Sequence, residues 1–137
     1  CRFSPMVSPG SADLLVSLEP AEALRFAHFL SFQGVALVNI QPVLPVTVTT
    51  GRARYPSLDE LLEPLRGQCQ RVLAIDATAL ARQAGTVQAM NVVMLGALSR
   101  YIPLSEEHII QALEEVVPSR HLEANKRAFL LGKAEVE

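Results

Sequence analysis

Three histidines, His28, His108 and His121, and two cysteines, Cys1 and Cys69, are the side chains best suited to hold a metal or attack a substrate. Their spacing argues against both uses. Each histidine falls on a separate expected helix with no Cys, Asp or Glu at metal-ligand spacing beside it, and a lone helical histidine is more often a surface or boundary residue. Structural zinc sites and iron–sulfur clusters usually want four ligands in close pairs, which two scattered cysteines do not supply. The glycine-rich phosphate turn, the P-loop and the Gly-x-Ser-x-Gly elbow are also missing. No catalytic residue, metal ligand or resident cofactor is assigned to this chain on these grounds.

Two carboxylates and two amides remain. Glu19 and Asp76 each follow an expected strand, where sites of α/β proteins gather. A helix cap accounts for Asp76, and Glu19, just before Pro20, stands where a carboxylate suits a helix N-terminus. Asn91 and Asn125 each interrupt an apolar helical face, and a buried amide must be hydrogen-bonded. A tie within the chain's own core, a partner subunit or a ligand would each satisfy that need, so these two are the candidates to probe. Asn91 is the one strongly polar residue in 89–98.

The elements that position these residues follow from pattern. Residues 13–18 (DLLVSL) lie between a turn at 8–11 and Pro20, a residue suited to helix position N1, and read as a buried strand entering a helix. Ala23, Phe26, Ala27 and Leu30 recur at i, i+3, i+4 and i+7, giving a helix over 20–32 that Gly34 ends. Residues 35–39 are apolar until Asn39, the mark of a strand covered on both faces. Pro42, Pro45 and the alternating Val46-Thr47-Val48-Thr49 allow at most an edge strand or extended connection.

Ser57 and Glu60 form a capping box for a helix with the stripe Leu58, Leu61, Leu62 and Leu65, which Pro64 must kink or end early. A strand at 71–75 follows. Asp76 then caps a short helix that Gly85 stops, and a longer helix covers 87–101, whose stretch 89–98 is apolar round its circumference except at Asn91 and hence buried on every side. Ser105 caps a helix with Ile109, Ile110, Leu113, Val116 and Val117 on one face, Pro118 ends it, and a last helix runs over 119–131 before Gly132. The fold class is α/β: three layers, a mostly parallel Rossmann-like sheet and extra C-terminal helices.

With 137 residues, 50% hydrophobic and 19% charged, the chain has material for a single domain with one sizeable core. A net charge of -2 without any basic run speaks against nucleic acid. Apolar stretches such as 92–98 fall far short of the roughly 20 residues that span a membrane, so a soluble protein is expected. Without a signal peptide or disulfide framework, the cytoplasm is the default compartment. The mean hydropathy of +0.26 leaves apolar surface for a partner. The opening Cys1-Arg2-Phe3-Ser4-Pro5 is no start signal and reads as a chain that begins partway into its domain.

Residues 12–25 (ADLLVSLEPAEALR), 34–39 (GVALVN) and 51–56 (GRARYP) resemble the small subunit of indolepyruvate:ferredoxin oxidoreductases. Residues 91–98 (NVVMLGAL), then 103–105 (PLS), then 125–129 (NKRAF) with Gly132, resemble the closing pattern of gamma subunits of pyruvate and 2-oxoglutarate:ferredoxin oxidoreductases. The resemblance runs from about Arg2 to Gly132. It implies a single gamma-type domain over 1–137 that lacks the family's first strand and Gly-rich turn. It also implies a small subunit without clusters, inactive alone. A large partner would carry thiamine diphosphate and iron–sulfur clusters, decarboxylate the 2-oxoacid (an aryl pyruvate such as indolepyruvate), pass electrons to ferredoxin and hand the acyl group to coenzyme A. Within that picture the Asn91 helix faces the coenzyme A side of the active-site region. A free-standing Rossmann-like binding or regulatory module, its apolar helix simply central core, is the alternative.

Overall fold

The computed structural model describes residues 6–136; Cys1 and the opening stretch at 1–5 lie outside the described residues. Two compact units divide the chain, Cys1–Ala74 and Ile75–Glu137.

In the first unit, β1 (Ala12–Ser17) leads into α1 (Pro20–Phe26), a short 3-10 turn (Ala27–Phe29) and then β2 (Leu30–Asn39), which pairs parallel with β1. The strand β3 (Arg71–Ile75) completes a sheet of order β1-β2-β3. This confirms the α/β class and its parallel βαβ start. The expected helix over 20–32 is shorter than its apolar spacing allowed. The chain turns extended at Leu30, and Gly34 lies inside β2 rather than ending a helix. Between Ala12↔Leu30 and Leu14↔Val35 the register shifts, so β2 bulges there against β1. A Cβ on Gly34 would stand 2.8 Å from Leu30 Cδ2 and 3.0 Å from the Ala12 carbonyl oxygen. A side chain there would crowd Leu30, Ser31 and the paired strand at Ala12, so a glycine that resembles a helix stop in sequence answers to the fit between strands.

Along β2, Ala36, Leu37, Val38 and Asn39 are all at most 1% exposed, so both faces of this central strand are covered as its apolar run foretold. By contrast β1, expected to be buried, is half open: Asp13 and Val16 are exposed and only Ser17 is buried, because as the sheet's edge in this order it has one neighbour. Ala36 and Val38 pack with Ala23, Ala27, Leu62 and Leu65 into the core beneath α1 and α3 (Leu58–Gln68). That helix begins at the expected capping box. Glu60 N–H donates to Ser57 Oγ at 3.2 Å, and Ser57 N–H returns to Glu60 Oε2 at 2.6 Å. Pro64 does not end it; buried Leu61, Leu62 and Leu65 carry it through to Gln68. Residues 46–49 form a one-turn helix, α2 (Val46–Thr49), not an edge strand, since Thr49 and Thr50 hydroxyls and the Thr50 N–H all turn back onto the Val46 carbonyl.

The second unit is helical: α4 (Ala77–Ala84), a 3-10 turn (Val87–Ala89), α5 (Met90–Leu98), α6 (Glu106–Val116) and α7 (Ser119–Glu135). Asp76, Gly85, Ser105 and Pro118 cap or bound them where expected. On α6 only Ile109 and Leu113 are buried, and Val116 at its open end is 80% exposed, which narrows the expected face. Gly132 does not terminate α7. It is the point at which α7 crosses α5: a Cβ there would fall 1.8 Å from the Val93 carbonyl oxygen, and one on Gly96 would fall 2.1 Å from the Phe129 carbonyl oxygen. The two backbones touch, and any side chain at either position would hold them apart. Among the described residues no helix is long and apolar enough to cross a membrane.

Candidate functional site

At the carboxyl ends of β1 and β2 a small polar cluster gathers, the edge at which α/β sheets build sites. Ser17 Oγ donates to the Glu19 carbonyl at 2.6 Å and holds the turn out of β1. Glu19 then works twice. Its Oε2 accepts the Glu22 N–H at 3.0 Å and caps α1, the role its position before Pro20 suggested, while its Oε1 accepts the Tyr55 hydroxyl. Asn39, buried at the end of β2, donates from Nδ2 to the Leu18 carbonyl at 3.2 Å. Sequence pattern did not single out Asn39 or Tyr55. The signals were present: Asn39 is the polar end of an apolar strand, and Tyr55 is an aromatic fixed between a glycine-led loop and Pro56.

Burial, together with the Glu19 carboxylate it donates to, pushes the Tyr55 phenol up to about 12. Its raised value means the neutral, donating form is favoured by folding. The stability this contributes is complete below the ordinary phenol value of about 10 and is lost as pH rises toward 12. Beside the cluster lies a cleft of about 470 Å³ lined by Leu24, Arg54, Pro56, Glu60 and Leu61. Arg54 Nη2 reaches both Glu60 oxygens at 2.7 Å. The Ser57 N–H and that guanidinium hold the Glu60 carboxyl below its ordinary value. The cleft's charges are thus matched within the chain. Among the described residues no buried side-chain nitrogen or oxygen lacks a hydrogen-bond partner. The arrangement fastens loops together and offers no free nucleophile or base.

The residues picked out by sequence are scattered. Asp76 Oδ1 accepts the Ala79 N–H at 3.0 Å, a cap. The histidines answer to local partners: His28 Nδ1 lies 3.2 Å from the Arg25 carbonyl, His108 Nδ1 2.7 Å from Ser105 Oγ, and His121 Nε2 accepts from Arg120 Nε at 3.0 Å. Asn125 is half-buried and returns its Nδ2 to the His121 carbonyl at 2.8 Å, one helical turn back. Asn91 corrects its premise. The rest of α5 is nearly enclosed, with Val92, Val93, Met94, Gly96 and Ala97 buried, but Asn91 is exposed on its first turn, facing out at the place where the helix meets solvent. Asn91→Leu is therefore expected to change the chain's unfolding free energy by no more than about 0.5 kcal/mol, read from urea titration.

Iron–sulfur clusters, implied for the complex by resemblance, need thiolates grouped around them. Among the described residues no three His, Cys, Asp or Glu side chains gather to hold a metal. Cys69 is buried, and burial pushes its thiol up, away from the thiolate a cluster takes. The described residues do not fit such a group.

The chain matches the Pyruvate ferredoxin/flavodoxin oxidoreductase family over residues 1–135. It is 39% identical over 131 residues to the indolepyruvate oxidoreductase subunit IorB of Archaeoglobus fulgidus, covering 94% of this chain and 65% of that protein. To the subunit of the same name from Thermococcus kodakarensis it is 41% identical over 133 residues, covering 95% and 66%. The chain thus spans about two thirds of the length of these curated relatives. Among solved structures, the pyruvate oxidoreductase subunit PORC from Thermotoga maritima superposes with a TM-score of 0.64 at 26% identity, covering 93% of this chain and 65% of that one. A keto/oxoacid ferredoxin oxidoreductase gamma subunit from Geobacter sulfurreducens shares the fold with a TM-score of 0.65 at 23% identity, covering 95% and 67%.

Proposed function

Because this chain belongs to the Pyruvate ferredoxin/flavodoxin oxidoreductase family, we propose that it serves as the small, cluster-free subunit of a thiamine-dependent 2-oxoacid:ferredoxin oxidoreductase acting on indolepyruvate or a related aryl pyruvate. The observation that carries this reading is the 39–41% identity to indolepyruvate oxidoreductase subunits along almost the whole chain. The internally matched cluster around Glu19 and the unsuited Cys69 support a supporting rather than a chemical role. In the complex, the large subunit with its thiamine diphosphate and clusters decarboxylates the 2-oxoacid, sends electrons to ferredoxin and passes the acyl group to coenzyme A. This chain packs against that subunit, and solvent-facing apolar residues such as Phe32, 84% exposed, are suited to being covered there. The reading also assigns Asn91 to the coenzyme A side of the assembled site.

Reconstitution tests it. The chain alone is expected to give no indolepyruvate-dependent dye reduction, and addition of the large subunit should yield a complex with coenzyme A-dependent turnover. Turnover by the chain alone, or a large subunit equally active and unassociated when the chain is present, would overturn it. In the complex, Asn91→Leu should raise the apparent KM for coenzyme A and leave kcat unchanged; an unchanged KM removes Asn91 from the site.

A further inference from the structure

We propose that residues 41–54 form a flap that swings as one body about its base, and that the contact between Tyr55 and Glu19 is the latch that holds it shut. The base is closed by neighbours. Asn39, just before the segment, donates to the Leu18 carbonyl, and Tyr55, just after it, donates to the carboxylate of the next residue, Glu19. Both ends of the segment are therefore tied to one short turn, the form of an Ω-loop.

Inside, the segment keeps its own shape. The Thr47 carbonyl accepts the Arg52 N–H at 2.8 Å and the Ala53 N–H at 2.9 Å, the Val46 carbonyl accepts the Thr50 N–H at 2.9 Å, and Gly51 N–H reaches the Val48 carbonyl at 3.0 Å. Outside, among the described residues, its side chains hydrogen-bond only through Arg54 to Glu60. None of residues 41–54 is buried, and Val43 and Val46 are 72% and 76% exposed. A segment that is ordered within, unburied throughout and fastened only at its base opens at low free energy, without melting.

The two fastenings at the closing end are unequal. Arg54 and Glu60 pair at the surface, with side chains 75% and 52% exposed, where an ion pair contributes little. Tyr55 is half-buried and donates to a charged acceptor already fixed by capping α1, which makes its bond the stronger one. Arg54 is both the last residue of the flap and a wall of the 470 Å³ cleft, so opening withdraws that wall and widens the cleft.

Limited tryptic digestion of the folded chain, read together with amide hydrogen exchange, tests the latch and the flap separately. Tyr55→Phe should speed cleavage after Arg54 about tenfold, the effect of losing one charge-assisted hydrogen bond. The Arg52 and Ala53 amides should stay as protected as in the parent. Glu19→Gln, whose one carbonyl oxygen can still cap α1 through the Glu22 N–H but which sets an uncharged NH2 group against the Tyr55 hydroxyl, should be cleaved at a rate between those of the parent and Tyr55→Phe. Cleavage of Tyr55→Phe at the parent rate overturns the latch, and loss of Arg52 and Ala53 protection in that variant overturns the rigid flap.

Discussion

Replacing Gly132 with alanine is expected to lower the melting temperature of the chain by about 10 °C, the consequence of a net loss near 3 kcal/mol at this size. In a helix interior alanine ordinarily gains about 0.5–1 kcal/mol over glycine. Here the added methyl would meet the Val93 carbonyl oxygen at 1.8 Å and its carbon at 2.7 Å, and both atoms are backbone. No rotamer change can relieve such a contact. Either α5 or α7 must move as a whole, which undoes the packing of Val93, Ala97, Ala128 and Phe129, all fully buried. Gly67→Ala is the matched control. Gly67 lies in α3, is exposed and has open space where a Cβ would go, so that variant should melt slightly higher. Thermal melts of the two variants side by side decide the matter; a Gly132→Ala chain as stable as Gly67→Ala would show that the helices are not held at backbone contact.

Truncating Phe129 should cost about as much by the opposite route. Among the described residues it is the largest side chain that is wholly enclosed, on the helix α7 that packs against α4 and α5. Phe129→Ala leaves a cavity where the ring was, for which the usual penalty is about 3–5 kcal/mol. Its neighbour Leu130 is 46% exposed, and Leu130→Ala should cost under about 1 kcal/mol. Urea unfolding of both variants gives the two numbers directly, and equal midpoints would contradict the enclosure of Phe129.

What could be read from the sequence was what neighbouring residues decide. Ser57 with Glu60, Asp76, Ser105, Gly85 and Pro118 act within one helical turn of themselves, and each bounds a helix as its local chemistry requires. The apolar run ending at Asn39 showed a strand buried on two sides, because burial on both faces leaves no alternation to hide it. The misreadings share a different cause. Gly34 and Gly132 look like helix stops when only propensity is weighed, yet each is glycine because another backbone passes within contact. Val46-Thr47-Val48-Thr49 alternates like a strand, but its hydroxyls and amides are consumed by a turn of their own. Asn91 was judged by the company it keeps on α5, and one polar residue among apolar ones can as easily mark the outward edge of a helix as a bonded amide inside it. The Glu19–Tyr55 cluster was hidden for the same reason as most sites: its members are 36 residues apart and are joined only by the fold.

The close approaches of Gly96 to Phe129 and of Gly132 to Val93 also bear on how the second unit finds its arrangement. Leucine-rich helices can slide past each other and still bury oil against oil, so a near miss is stable enough to trap the chain. A crossing made of two bare backbones tolerates no such slip. Were α7 displaced by one residue, Leu131 or Lys133 would bring a Cβ to the place where the Val93 carbonyl stands. Every misaligned docking is thereby penalised before any side chain is considered, and the glycine pair serves as a registration mark that selects a single assembly from the many that apolar patterning alone would permit.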